Sequence, residues 1–116
     1  MGYINGRYGI SINIIRFGMK ATTVKKKLGN FVSIENITSI NGNDVPNQFQ
    51  LKFENGRVFQ SYNSLIAIKI DGKVYLGEDW DYSKTTMKYL NWWLGGYSKK
   101  EIEKGIKEGE FILLKD

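Results

Sequence analysis

All three tryptophans of the chain fall within Trp80-Asp-Tyr-Ser-Lys-Thr-Thr-Met-Lys-Tyr-Leu-Asn-Trp-Trp-Leu-Gly-Gly96, directly after two turn dipeptides, Asn55-Gly56 and Asp71-Gly72. Ser83 is a suitable N-cap, and Asp79 and Asp81 add favourable charge at the start of a helix. Met87, Leu90 and Leu94 recur at helical spacing, and Tyr89, Trp92 and Trp93 widen the stripe. Gly95-Gly96 ends the helix, since glycine tolerates the left-handed conformation. A second helix begins at the capping box Ser98-Lys-Lys-Glu101, turns Ile102 and Ile106 inward and stops at Gly109. Phe111 to Leu114 then returns as a final strand or extended tail.

Upstream of this pair the pattern is that of strands. Ile10, Ile12 and Ile14 alternate with polar residues, and Phe31 to Ile40 is rich in β-branched residues. Met19 to Leu28 reads as a short helix or a basic loop, and Asp44 to Asn47 as a loop around Pro46. A two-residue Asn55-Gly56 turn predicts that Glu54 faces Arg57, Phe53 faces Val58 and Leu51 faces Gln60. Phe49, Leu51, Phe53, Val58 and Tyr62 then share the core face. The Asp71-Gly72 turn predicts Ile68 opposite Tyr75 and Ala67 opposite Leu76. Ile66, Ile68 and Ile70 fall on one side of that hairpin, and Leu65, Ala67, Val74 and Leu76 on the other. The expected fold class is α+β, an antiparallel β-meander/hairpin sheet packed against two C-terminal helices, in a single domain over residues 1–116.

Composition excludes whole classes of chemistry. The chain has neither cysteine nor histidine. Disulfides, thiolate metal sites, histidine general bases and serine–histidine triads are therefore unavailable. Glu78, Asp79 and Asp81 could hold a hard cation through oxygen ligands, but two of them already suit helix capping and no EF-hand spacing is present. The expectation is a non-enzyme with no cofactor and no metal. Residues 1–19 lack an apolar core with a cleavage site, and no apolar run approaches the roughly 20 residues that span a bilayer. A cytoplasmic protein with no membrane partner is expected.

Charge is uneven. Net charge is +5, and residues 1–34 hold Arg7, Arg16, Lys20, Lys25, Lys26 and Lys27 without one acid. With Tyr3, Tyr8 and Phe17 interleaved, this third of the chain is a candidate nucleic-acid surface, or simply a solvated basic face. Trp92, Trp93 and Tyr97 are the candidate aromatic contacts for a protein partner, because Trp and Tyr are enriched at binding hot spots. Sheet edges also leave pairing into a homodimer open.

The stretch from Phe59-Gln-Ser-Tyr62 through Tyr75-Leu76, with Trp80 to Leu94, resembles small proteins of phages and prophages from low-GC Gram-positive bacteria. The shared pattern is S-Y, then G-x-V-Y-L, then W-x-Y-S-x-T-T-x-K-Y-L with an aromatic residue before L-G. It covers about half the chain and brings no catalytic motif. Many phage proteins of this size with known roles bind and block a host protein, including anti-CRISPR and other anti-defence inhibitors. The resemblance therefore implies an inhibitor that binds and occludes a host protein or nucleoprotein complex, such as a CRISPR effector. Lys25, Lys26, Lys27, Trp92, Trp93 and Tyr97 are the expected contacts. The alternative is a DNA- or RNA-binding accessory protein using Arg7, Arg16, Lys20 and Lys25 to Lys27.

Overall fold

The structure is a computed structural model that describes residues 4–6, 10–11 and 19–115, with side chains from Lys20 onward. The elements are β1 (Ile4–Gly6), β2 (Ile10–Ser11), β3 (Met19–Lys20), α1 (Ala21–Lys27), β4 (Phe31–Thr38), β5 (Asp44–Phe53), β6 (Gly56–Ser61), β7 (Ser64–Ile70), β8 (Lys73–Leu76), α2 (Lys84–Trp93), α3 (Lys99–Glu108) and β9 (Phe111–Lys115). β1 and β2 form a small antiparallel ladder of their own. The main sheet has the order β3-β9-β8-β7-β6-β5-β4, with the two-residue β3 extending a six-stranded body. The fold is α+β, and its sheet packs against α2 and α3 as expected. The sheet is not wholly antiparallel: β9 pairs parallel with β8 and with β3. Parallel neighbours need a long crossover, and the α2–α3 pair is that crossover.

Both faces are covered over the middle of the sheet, while β4 at its edge leaves Phe31, Val32 and Ile34 each 54% exposed. On one face, Phe59, Ile66, Ala67 and Leu76 pack with Trp80, Leu90, Trp93, Ile102 and Phe111. On the other, Val58, Ile68, Ile70 and Tyr75 pack with Ala21, Val24 and Leu28. Met19 to Leu28 thus resolves into helix α1, which is too short to hold itself and depends on these contacts. Its C-terminus is tied to the β5–β6 connection. The Asn55 side-chain amide donates to the Lys27 carbonyl at 3.1 Å and the Asn55 N–H to the Leu28 carbonyl at 2.9 Å. Glu54 accepts from the Asn30 N–H at 2.8 Å.

That tie explains a difference from the sequence reading. Neither Asn55 nor Gly56 has a positive φ, so they do not form the mirror-image turn. The pairs are Lys52 with Arg57, Leu51 with Val58 and Gln50 with Phe59, a shift of two residues across the hairpin. Glu54 does not face Arg57. Leu51, Phe53 and Val58 keep their common face, because a two-residue slip preserves parity. Tyr62 leaves it: it sits in the β6–β7 turn at φ 55 and is exposed. Asp71-Gly72, by contrast, has both φ values positive, 52 and 73, and gives the expected register of Ile68 with Tyr75 and Ala67 with Leu76.

Two bulges correct the reading further. Between Phe59–Ala67 and Gln60–Leu65 the ladder gains one residue, Ile66, which turns to the α2 face beside Ala67 while Leu65 goes to the α1 face. Ile66 and Leu65 therefore exchange the sides that strict alternation assigns them. Asp44 to Asn47 is not a free loop but the start of β5, and Pro46 lies in the unpaired step between Thr38–Asp44 and Asn36–Phe49. Proline is tolerated at such a bulge. The Asn36 amide closes it, donating to the carbonyls of Val45 at 2.6 Å and Gln48 at 3.2 Å. Asn36→Ala, which orphans both, is expected to cost about 1–3 kcal/mol in a urea titration.

Candidate docking surface

The end of α2 that faces β4 to β7 is fixed by one tryptophan. Trp93 is 6% exposed and stacks on Phe59 with centroids 5.9 Å apart. Its indole N–H donates to Gln50 Oε1 at 2.8 Å. The Lys69 ammonium donates to the Trp93 carbonyl at 2.7 Å and lies 4.3 Å from the ring centroid. A cation at a helix C-terminus is favourable for its dipole, and one over an indole face gains further. The other end is set by Ser83, whose hydroxyl accepts from the Thr86 N–H at 3.1 Å.

Successive helical residues point about 100° apart. With Trp93 locked inward, Trp92 turns toward the β4–β5 connection and is 60% exposed. Beside it runs a groove of about 400 Å³ lined by Thr38, Ser39, Ile40, Lys88, Tyr89 and Trp92. Ile40 is fully exposed at its rim. A smaller cleft of about 110 Å³ runs from Trp92 under the helix to Glu35 and Gln50. On the outer side of α2, Tyr82, Met87, Lys88 and Lys99 line a shallow hollow of about 850 Å³. These hollows adjoin at Lys88 and Trp92, and their linings also include Lys84, Lys99 and the acids Asp81 and Glu35.

The sequence-derived contacts do not gather there. Lys25, Lys26 and Lys27 are exposed in the last turn of α1, across the sheet from Trp92, where they also suit the helix dipole. Trp93 belongs to the core and is not a free contact. Tyr97 is half-buried, edge-on to Phe111 at 5.2 Å, and its hydroxyl donates to Glu110 Oε2 at 2.9 Å. That carboxylate holds the Tyr97 hydroxyl above its ordinary pKa. Lys20 is exposed at the start of α1, whereas Arg7 and Arg16 lie outside the described residues. Ile40 and Tyr82, both strongly exposed, were not among the expected contacts.

Glu78, Asp79 and Asp81 are exposed on the approach to α2, and Asp79 accepts from the Ser64 hydroxyl at 3.3 Å. Among the described residues no three acids gather into a group that could hold a metal. Among them, too, no helix is long and apolar enough to cross a membrane.

No curated protein and no solved structure matches the chain. Residues 21–109, from the first residue of α1 to the glycine that caps α3, match the model of a family of unknown function, DUF8033, and the chain belongs to that family.

Proposed function

We propose that this is a non-catalytic phage-type binding protein that docks on a host nucleic-acid-processing defence machine, such as a CRISPR effector, and inhibits it by occlusion in the host cytoplasm. The observation supporting a docking role is the pairing of Trp92, 60% exposed, with the fully exposed Ile40 across a groove. A tryptophan left in water beside a concave apolar strip keeps most of its transfer free energy for an association. The phage resemblance supplies the class of partner.

Affinity capture from a lysate of the natural host, divided into nuclease-treated and untreated halves, tests this reading. A stoichiometric protein partner that survives nuclease and is lost with Trp92→Ala is expected. Hot-spot truncation costs about 2 kcal/mol or more, which is roughly thirtyfold in affinity. Recovery of nucleic acid alone, lost with Lys25→Glu plus Lys26→Glu, would replace this reading with direct binding through α1 and the basic N-terminal third.

A further inference from the structure

The observed register places three cations side by side. Lys52 pairs with Arg57, and Arg57 pairs with Lys69, across three adjacent strands. At roughly 4.8 Å between strands the row spans about 10 Å. All three belong to the α2 side, since Lys69 reaches Trp93 and Gln50, one alternation from Lys52, accepts the Trp93 indole. Like charges directly opposite on a sheet are unfavourable. Among the described residues neither Lys52 nor Arg57 has an acidic partner at salt-bridge distance, and both are exposed. Burial, and then the Arg57 charge, hold the Lys69 pKa below the ordinary lysine value. Capping α2 accounts for Lys69. Nothing in the fold accounts for Lys52 and Arg57 beside it.

The same face carries a place for a base. A cleft lined by Glu35, Gln50, Trp92 and Trp93 adjoins the groove of Trp92, Tyr89 and Ile40, and it meets the row where Lys69 lies over Trp93. Cations in a line next to exposed aromatic rings form the combination by which sequence-tolerant single-strand binders hold phosphates and stack bases. A protein partner would have to bring an acidic strip and an apolar anchor together at this spacing, whereas every nucleotide of a single strand carries both a phosphate and a base. A duplex would keep its bases stacked away from Trp92.

We propose that the Lys52–Arg57–Lys69 row binds the phosphate backbone of a single-stranded nucleic acid, with a base against Trp92. This deepens the preceding reading, because it makes the nucleic acid of the partner machine part of what the α2 face contacts. The α1 lysines have no role in it.

The test is the anisotropy of a fluorescent 20-nucleotide oligothymidylate titrated with the full chain at several salt concentrations. About three neutralised phosphates on a single strand predict a log–log salt slope near −2, so affinity falls roughly twentyfold between 50 and 200 mM salt. Lys52→Glu plus Arg57→Glu is expected to weaken binding at least tenfold and flatten the slope. Trp92→Ala is expected to weaken it about tenfold with the slope unchanged, since stacking releases no counterions. Lys25→Glu plus Lys26→Glu is expected to change neither. Lys52→Glu alone turns a repulsive cross-strand pair into an attractive one, so the variant should melt a few degrees higher while binding less, which separates lost binding from lost folding.

The proposal is overturned if the oligonucleotide does not bind at 50 mM salt, or if the α1 pair rather than the row abolishes binding. It is equally overturned if polyglutamate competes for the protein while oligothymidylate does not, which would assign the row to an acidic protein. In each case a nuclease-resistant partner lost with Trp92→Ala would leave the docking reading standing.

Discussion

Trp93→Ala is expected to destabilise the protein by about 3–5 kcal/mol, while Trp92→Ala, one residue earlier, shifts stability by about 0.5 kcal/mol or less. Trp93 loses the stack on Phe59, leaves Gln50 Oε1 without its indole donor and removes the ring under the Lys69 ammonium. A domain of this size is stable by about 5–15 kcal/mol in total, so the Trp93 variant retains little margin. Urea titration reads the difference as a lower midpoint at unchanged slope. Equal losses at the two positions would mean that α2 is rotated about its axis from the orientation described. The docking surface would then have to be redrawn, since the exposure of Trp92 follows from the burial of Trp93.

Gly77→Ala is expected to cost about 2–3 kcal/mol, or about 10 °C in Tm, although it adds a single methyl group. A Cβ on Gly77 would overlap the backbone carbonyl of Leu65, which cannot swing aside as a side chain can. The contact is tight because the Gly77 N–H donates to the Ile66 carbonyl at 2.7 Å, at the bulge that turns Ile66 into the core. Displacing Gly77 disturbs this bond and the face assignment of the fully buried Ile66 together. A melting temperature unchanged in this variant would show that the bulge relaxes freely and does not fix the β7 register.

Local signals were legible where one residue decides the geometry. Asp71-Gly72 adopts the positive φ values that such a dipeptide favours, and both C-terminal helices begin at the serines that cap them. The capping box of α3 forms with both of its bonds, Glu101 accepting from the Ser98 N–H at 2.9 Å and Ser98 Oγ from the Glu101 N–H at 3.2 Å. Asn55-Gly56 has the same turn chemistry and was misread for a reason outside its own sequence. Asn55 is engaged by the C-terminus of α1, a contact 28 residues away in the chain. Gly56 is needed for space, because a Cβ there would lie 2.5 Å from the Lys69 carbonyl and 2.8 Å from Leu28. Tertiary demand replaced the local preference, and the shifted register followed.

The bulges at Ile66 and next to Pro46 were equally invisible to alternation, which carries no mark where one strand gains a residue. For the site, periodicity identified an aromatic excess on α2, but it could not say which of two adjacent tryptophans faces out. That choice rests on Gln50 and Lys69, which arrive from two different strands. The cationic row was hidden for the same reason as the hairpin register, since Lys52 meets Arg57 only after the two-residue shift. The lysine run on α1 stood out in sequence because its residues are consecutive, yet consecutive lysines at a helix C-terminus have an electrostatic explanation within the fold.

The claim that the α2 side, rather than α1, is the docking face has a direct test, helped by the absence of any native cysteine. Lys88→Cys lies at the groove beside Trp92, and Lys26→Cys lies on exposed α1. Each variant is coupled to a bulky maleimide-polyethylene glycol and used to capture partners from nuclease-treated host lysate. The chain modified at residue 88 is expected to lose the stoichiometric partner, and the chain modified at residue 26 to retain it. Loss at residue 26 with retention at residue 88 would move the interface from the α2 side to the basic helix α1.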